Sequence, residues 1–383
     1  MTMNSKQASF PWLTFEGPWN RISQPFRLAF LSAAVIGLIT HLYLFTNILV
    51  NHDSSNSVWS VNDVLSSGRW SAQLLSVFST HFQLPVVIGL ISVLMLALTA
   101  GLTVRILGLT NRVNIVLASA LLVTFPSVAC IFSYLFTADA YFIALFFNAL
   151  AVYCAKRYRW GWLAAIALMT VACGTYQAFV CYAIGLFLFD CLLMLLDGTP
   201  IPQVAAKGVR YILICVASLI LYYAILQVML AATGTTLENY QGMSGMSLSN
   251  LTAFLAQIPK AWLFFGAFFF DPKYFSLFFR AVQLLYCLFF VGLGLYLIKV
   301  KKLYQDIPRL LLIFAGLLLV PLALNFITVL ALGAEVHALM IYSFVLFLVL
   351  IIKASELAAA QLLPAGGRRG GLVFFTTLAL CFL

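Results

Sequence analysis

The residues able to do chemistry in this chain are few, and most of the acidic ones fall in the breaks between long apolar runs. Asn51-His52-Asp53-Ser54 follows directly on the first run, with Asn62-Asp63 and Ser67-Gly68-Arg69-Trp70 close behind. A carboxylate fixed at the mouth of a helix is held at the membrane surface, where it can meet a lipid head group and a water-soluble partner together. Ionised, Asp53 suits general-base work on a hydroxyl; the plainer reading is a solvated residue at a helix end. His52 and Asp63 stand beside it as substrate contacts. Arg69 offers a planar fork suited to two oxygens of a phosphate. Trp70 is either an interfacial anchor or a stacking surface for a sugar.

Further along, Asp139 in Thr137-Ala138-Asp139-Ala140-Tyr141 is read in a tight turn between two apolar runs. A charge so near hydrocarbon is costly unless it faces protein, water or ligand. It is therefore either a site residue, as a second catalytic carboxylate beside Asp53, or the N-cap of the following helix. Tyr176-Gln177 and Glu335-Val336-His337 lie on the same side, and Arg280 could add a phosphate contact. Lys273 more simply snorkels to head groups. His41 and Asp190, inside apolar runs, read as buried pairs or helix-end residues rather than a proton relay. The acids are scattered singly with no metal-ligand spacing, so no metal and no cofactor is expected unless Asp53, Asp63 and Asp139 converge.

The elements that must position these groups are set by the lipid. The 383 residues are 64% hydrophobic and 8% charged, with a mean hydropathy of +1.06, against about a quarter charged in a soluble domain. Runs of about 20 apolar residues cross roughly 30 Å of hydrocarbon, and without period-2 alternation they are helices rather than barrel strands. The reading is an all-α polytopic protein of 10 to 11 helices in one membrane domain over 1–383. Its spans are 26–50, 84–103, 113–132, 141–155, 160–175, 176–196, 209–231, 276–298, 310–330 and 338–354. The break at Gly174-Thr175-Tyr176-Gln177 is weak. A last run, 371–383, is too short to cross, so it reads as truncated, or as the start of a span in a longer chain. The eight cysteines show no CxxC pattern and read as small core residues.

Loop charge gives the orientation. With the N-terminus inside, only Arg69, Lys260, Lys273 and Arg280 of the 21 basic residues lie outside. Six of the 11 acids lie there: Asp53, Asp63, Asp139, Glu238, Asp271 and Glu335. The basic excess thus marks a cytoplasmic face and not a nucleic-acid partner. Two outer segments are long. In 51–83, Val58, Val61, Val64, Leu65, Trp70, Leu74, Leu75 and Phe78 suggest helices lying on the membrane surface. In 232–275, a Gly/Ser/Thr-rich first half reads as a mobile lid and aromatic-rich Ala261–Phe275 as an interfacial or re-entrant helix.

Taken in order, these motifs resemble the Gtr-type serotype-converting glucosyl transferases, bacterial membrane proteins that decorate O-antigen. Asn51-His52-Asp53-Ser54 and Ser67-Gly68-Arg69-Trp70 are similar to that family's first-loop pattern. Thr137-Ala138-Asp139-Ala140-Tyr141 and Tyr176-Gln177-Ala178-Phe179 look like its later signatures, and the likeness is clearest over 30–200. The resemblance implies a GT-C type enzyme of the bacterial inner membrane with a periplasmic site. It implies a polyprenyl-phosphate hexose as donor, a glycan such as O-antigen in lipopolysaccharide as acceptor, and a companion donor synthase and flippase. In that class an acid in the first outer loop is the base, which maps to Asp53. A lipid phosphate leaves readily, so one base, a phosphate clamp and orientation can supply the chemistry, with inversion at the sugar carbon.

Two other readings stand beside it. A lipid-linked saccharide flippase or transporter should place ionisable groups at mid-membrane between broken helices, whereas here they cluster at one surface. An O-antigen ligase or polymerase would want a more basic outer loop to hold pyrophosphate.

Overall fold

With no water in lipid to satisfy backbone groups, each apolar run must close its own hydrogen bonds. The computed structural model describes residues 22–47, 65–76, 84–238, 251–271, 276–330 and 335–362, and all regular structure among them is helical. In chain order the α-helices are α1 Gln24–Thr46, α2 Ala72–Leu75, α3 Pro85–Leu107, α4 Arg112–Thr124, α5 Pro126–Phe132, α6 Leu135–Arg157 and α7 Gly161–Thr175. They continue with α8 Val180–Leu196, α9 Ile201–Thr233, α10 Leu251–Phe270, α11 Leu277–Val300, α12 Ile307–Leu324, α13 Ile327–Leu330 and α14 Val345–Leu362. Short 3-10 turns, Gln177–Phe179 and Ala338–Phe344, lead into α8 and α14. Among the described residues nine helices are long and apolar enough to cross a membrane, or ten if bent α4–α5 is one span. The chain is a multi-pass membrane protein.

Local signals set the helix ends. Pro25 and Pro85 sit in the first turns of α1 and α3, where a missing N–H costs nothing. The Asn111 side chain caps α4 by accepting from the Val113 and Asn114 amides. At Phe125–Pro126 the helix bends by 40°, because proline withholds a donor from the preceding turn. The carbonyls there find other partners: the Tyr342 hydroxyl donates to Leu122 O at 2.7 Å and His41 Nε2 to Val123 O at 2.8 Å. His41 is thus a buried pairing residue.

α3, α6, α8 and α14 form the buried centre, while α1, α9, α10 and α11 turn most of their surface outward. α1 runs antiparallel along α3, with Phe45 on Gly89 toward one end and Phe26 on Gly101 toward the other. Most of the basic side chains gather at one end of the bundle. There Asp190 pairs with Lys156 and Lys207. Lys353 donates to the last-turn carbonyl of Gly108, Lys301 to Leu196 O, and Arg309 to Leu195 O and Thr199 O. This is the lysine-bearing end; the other is the Arg69 end.

Three elements differ from the sequence reading. α9 starts at Ile201, not 209, because Lys207 snorkels to Asp190 and nothing in 201–208 breaks a helix. α6 starts at Leu135 with Tyr134 in the cap position, so Asp139 lies in the helix rather than in a turn and is not its N-cap. α10 begins ten residues before the aromatic-rich stretch and is long enough to cross. Its packing nonetheless keeps to the Arg69 end: Asn325, which ends α12, donates to Ala261 O at 3.0 Å, and Phe268 meets Phe125. α11, which follows, already runs back to the lysine-bearing end. Residues 371–383 and the Gly/Ser-rich 239–250 lie outside the described residues.

Candidate functional site

The site grows from the end of α7. A helix C-terminus leaves carbonyls without intrahelical donors, and here the chain takes an extended step at Tyr176 (φ −156°, ψ 105°) before turning into α8. The weak sequence break is therefore real. Into the gap docks segment 65–76, which holds a single helical turn, α2. Gly68 makes the sharp turn that presents Arg69, at φ +76°. The Ser71 amide donates to Gly174 O at 2.9 Å, and its Oγ donates to Val171 O at 2.7 Å and lies 2.8 Å from Thr175 Oγ1. The Trp70 indole lies over Gly174, where an added Cβ would stand 2.4 Å from Trp70 Cε2. Only glycine permits that approach.

α8 and α9 close the other side. Gln177 Nε2 donates to Ser67 O at 3.4 Å and to the Tyr222 hydroxyl at 3.0 Å, and that hydroxyl donates on to Gly68 O at 3.0 Å. The Glu238 amide, just beyond α9, donates to Ser66 O at 3.1 Å. Segment 65–76 is thus pinned along its length rather than floating on the surface.

This clasp fixes Arg69. Its Nη1 donates to the Tyr141 hydroxyl at 3.0 Å, and its guanidinium carbon lies 5.1 Å from the centre of the Tyr176 ring. The two tyrosine rings stack at 4.3 Å, with Phe179 edge-on to both. Tyr141 is 5% exposed and Tyr176 2%, so this pair is no open platform for a sugar. The cation–π contact and the hydrogen bond to Tyr141 help to orient a partly exposed guanidinium. A cation so held can receive an anion without first being ordered.

Of the residues singled out from the sequence, the structure brings Arg69, Trp70, Tyr176 and Gln177 together. Trp70 is an anchor here, on a helix end rather than in the membrane interface. His52, Asp53 and Asp63 lie outside the described residues. Asp139 is buried in the second turn of α6, its Oδ1 accepting from the Ala140 amide at 2.9 Å. It stands two residues from Tyr141, about 200° around the helix, so the two side chains leave α6 on opposite faces. Arg280 is on α11 and makes no hydrogen bond or ion pair with the clasp among the described residues. Sequence reasoning missed Ser71, Gly174, Thr175 and Tyr222 as site-builders. Only Tyr222, a phenol within a long apolar run, carried a signal. Among the described residues no three His, Cys, Asp or Glu side chains gather as a metal site would require.

A family model described as Glucosyl transferase GtrII matches residues 42–349, which include the whole clasp together with Asp53, Asp139 and Arg280. No curated protein and no solved structure matches the chain. With the match covering well over half of its length, the chain belongs to the GtrII glucosyl transferase family.

Proposed function

We propose that this glucosyl transferase takes its hexose, glucose, from a polyprenyl-phosphate carrier and passes it to a cell-surface glycan such as O-antigen at the periplasmic face of the inner membrane. The observation that carries this reading is the Arg69 clasp: a guanidinium aimed by Tyr141 and Tyr176, at the bundle end opposite the lysines. A lysine-rich end belongs to the cytoplasm, which leaves the Arg69 end facing out. There a lipid-borne phosphate at the membrane boundary meets a cation with the right fork.

In the reaction, an acceptor hydroxyl oxygen attacks the anomeric carbon of the donor. Its proton passes to the Asp53 carboxylate, and the bond from that carbon to the phosphate oxygen breaks. The phosphate leaves with the electron pair and is held by Arg69. A single displacement inverts the sugar carbon. His52 and Asp63 contact the substrates, and Asp139 positions the acceptor or assists Asp53. A companion synthase and flippase supply the donor on this face.

The test uses purified protein in proteoliposomes with polyprenyl-phosphate glucose and an O-antigen acceptor, with no ion gradient. Glucose should appear on the acceptor, and Asp53→Asn should lower the rate by about 10²–10⁴-fold, as loss of a general base does. Transfer at the wild-type rate by a correctly inserted Asp53→Asn protein would remove that residue from the mechanism. A protein that moves lipid-linked sugar across the bilayer without transferring it would be a transporter.

A further inference from the structure

α11 has an inward face of two halves. Toward the lysine-bearing end it is apolar and packed: Leu293 and Leu297 are buried, and Phe290 meets Phe347 of α14 edge-on at 5.7 Å. Toward the Arg69 end the same face carries Arg280, Gln283 and Tyr286. Spaced by three, they form one ridge that covers about 120° of the helix and descends about 9 Å from its start. Gln283 is 5% exposed and Tyr286 3%, yet Gln283 Oε1, the Tyr286 hydroxyl and Arg280 Nε have no hydrogen-bond partner among the described residues. Buried polar atoms in a bilayer-spanning helix are costly unless paired, and three on one ridge, one of them on a cation, need an explanation. One turn on from Tyr286, Phe290 leads into a buried aromatic cluster, in which Phe347 and Phe344 pack with Phe265 and Phe269 of α10.

We propose that this ridge binds a glycosyl phosphate head group, with the phosphate at Arg280, sugar hydroxyls on Gln283 and Tyr286, and the apolar face of the pyranose toward the phenylalanines. Oε1 accepts from a hydroxyl, and the phenol donates to one or accepts from one, which is how a site reads a sugar rather than a bare anion. The inference rests on the reading of the chain as a user of lipid-linked sugar. The same chemistry is offered by the donor, a polyprenyl-phosphate hexose, and by a lipid-linked glycan acceptor.

The experiment measures binding to the full chain in nanodiscs, using farnesyl-phosphate glucose, farnesyl phosphate, a polyprenyl-pyrophosphate-linked glycan and phosphatidylglycerol as separate probes. Gln283→Leu and Tyr286→Phe, each close in shape to the native residue, should weaken sugar-bearing probes about tenfold, the effect of one or two hydrogen bonds, and leave farnesyl phosphate unchanged. Arg280→Gln should weaken all three phosphate-bearing prenyl probes. Selective loss for farnesyl-phosphate glucose assigns the ridge to the donor, and selective loss for the linked glycan assigns it to the acceptor. Unchanged sugar binding with a raised thermal midpoint would mean unpaired groups of no binding role and would overturn the proposal. So would phosphatidylglycerol binding that is equally sensitive to the variants. If the wild-type protein transfers glucose from the polyprenyl donor and the variants keep its KM, the ridge alone is refuted. If the wild-type protein neither binds nor uses that donor, both readings fall.

Discussion

At the lysine-bearing end, every acid in view has its cation. Asp190, 2% exposed, holds Lys156 at 2.6 Å and Lys207 at 2.9 Å and accepts from the Tyr211 hydroxyl at 2.7 Å. Glu356 accepts from the Thr110 and Asn111 amides, the Thr110 hydroxyl and Asn114 Nδ2, and Lys353 lies 3.6 Å away. The lysines and Arg309 also close helix C-termini. At the Arg69 end, Arg69 donates to a phenol and lies against a ring face, while on α11 Arg280 Nε, Gln283 Oε1 and the Tyr286 hydroxyl have no hydrogen-bond partner among the described residues. Polar groups that answer each other lock helices together. Buried polar groups without a partner, like those on α11, keep their capacity for a ligand. Under the proposed function, one end of this bundle holds and the other binds.

That contrast is open to breakage from either side. The largest effect on stability is expected from Asp190→Ala, which strands Lys156 and Lys207 beside one another. Removing one partner from a fully buried ion pair costs about 3–5 kcal/mol, and less here because Lys156 and Lys207 keep 34% and 26% of their side chains exposed, so the thermal midpoint of the purified protein should fall while the folded fraction transfers glucose at the wild-type rate. Arg69→Lys should do the reverse. The charge survives but the fork and the ring contact do not, and transfer should drop about 100-fold, the scale of losing one aimed donor, with a much smaller shift in midpoint. Should Asp190→Ala lower turnover per folded molecule as strongly as Arg69→Lys does, the two ends are not separate in function.

The fold was legible because lipid leaves the backbone so little choice. Ten apolar runs correspond to the helices α1, α3, α4–α5, α6, α7, α8, α9, α11, α12–α13 and α14, although α7, at 15 residues, is shorter than those long and apolar enough to cross, and α10, read from the sequence as an interfacial or re-entrant segment, is one of them. Boundaries failed where a charged side chain reaches back to a partner, as Lys207 does, because snorkelling hides the end of an apolar run. Within the site, Arg69, Trp70, Tyr176 and Gln177 stood out as polar or aromatic groups at breaks. Gly174 and Ser71 did not, because a glycine's role in admitting an indole, and a serine's in pairing with a helix end a hundred residues away, exist only in three dimensions. Tyr141 was visible as part of a motif, but nothing in its neighbours said that it would hold Arg69.

The smallest expected effect belongs to Asp306, at the start of α12 on the lysine-bearing end. Its Oδ1 accepts from the Arg309 amide at 3.2 Å and its Oδ2 from Arg309 Nε at 2.8 Å, so the same side chain caps the helix and steers the guanidinium toward Leu195 O and Thr199 O at 3.0 Å each. Those hydrogen bonds from Arg309 hold the Asp306 carboxyl below the ordinary carboxylate value. A lowered folded value means that the unfolded chain takes up a proton first as pH falls. The contribution is therefore complete above the ordinary aspartate value of about 3.9 and fades as pH drops through the lower folded value. Asp306 is exposed to solvent, which screens the pair, so the change should be slight: a small fall in thermal midpoint for Asp306→Asn at neutral pH that vanishes once the wild-type carboxyl is itself protonated. A deficit that persisted unchanged in acid would trace the effect to packing rather than to the carboxylate charge, and the claim that this end is held by paired charges would lose one of its supports.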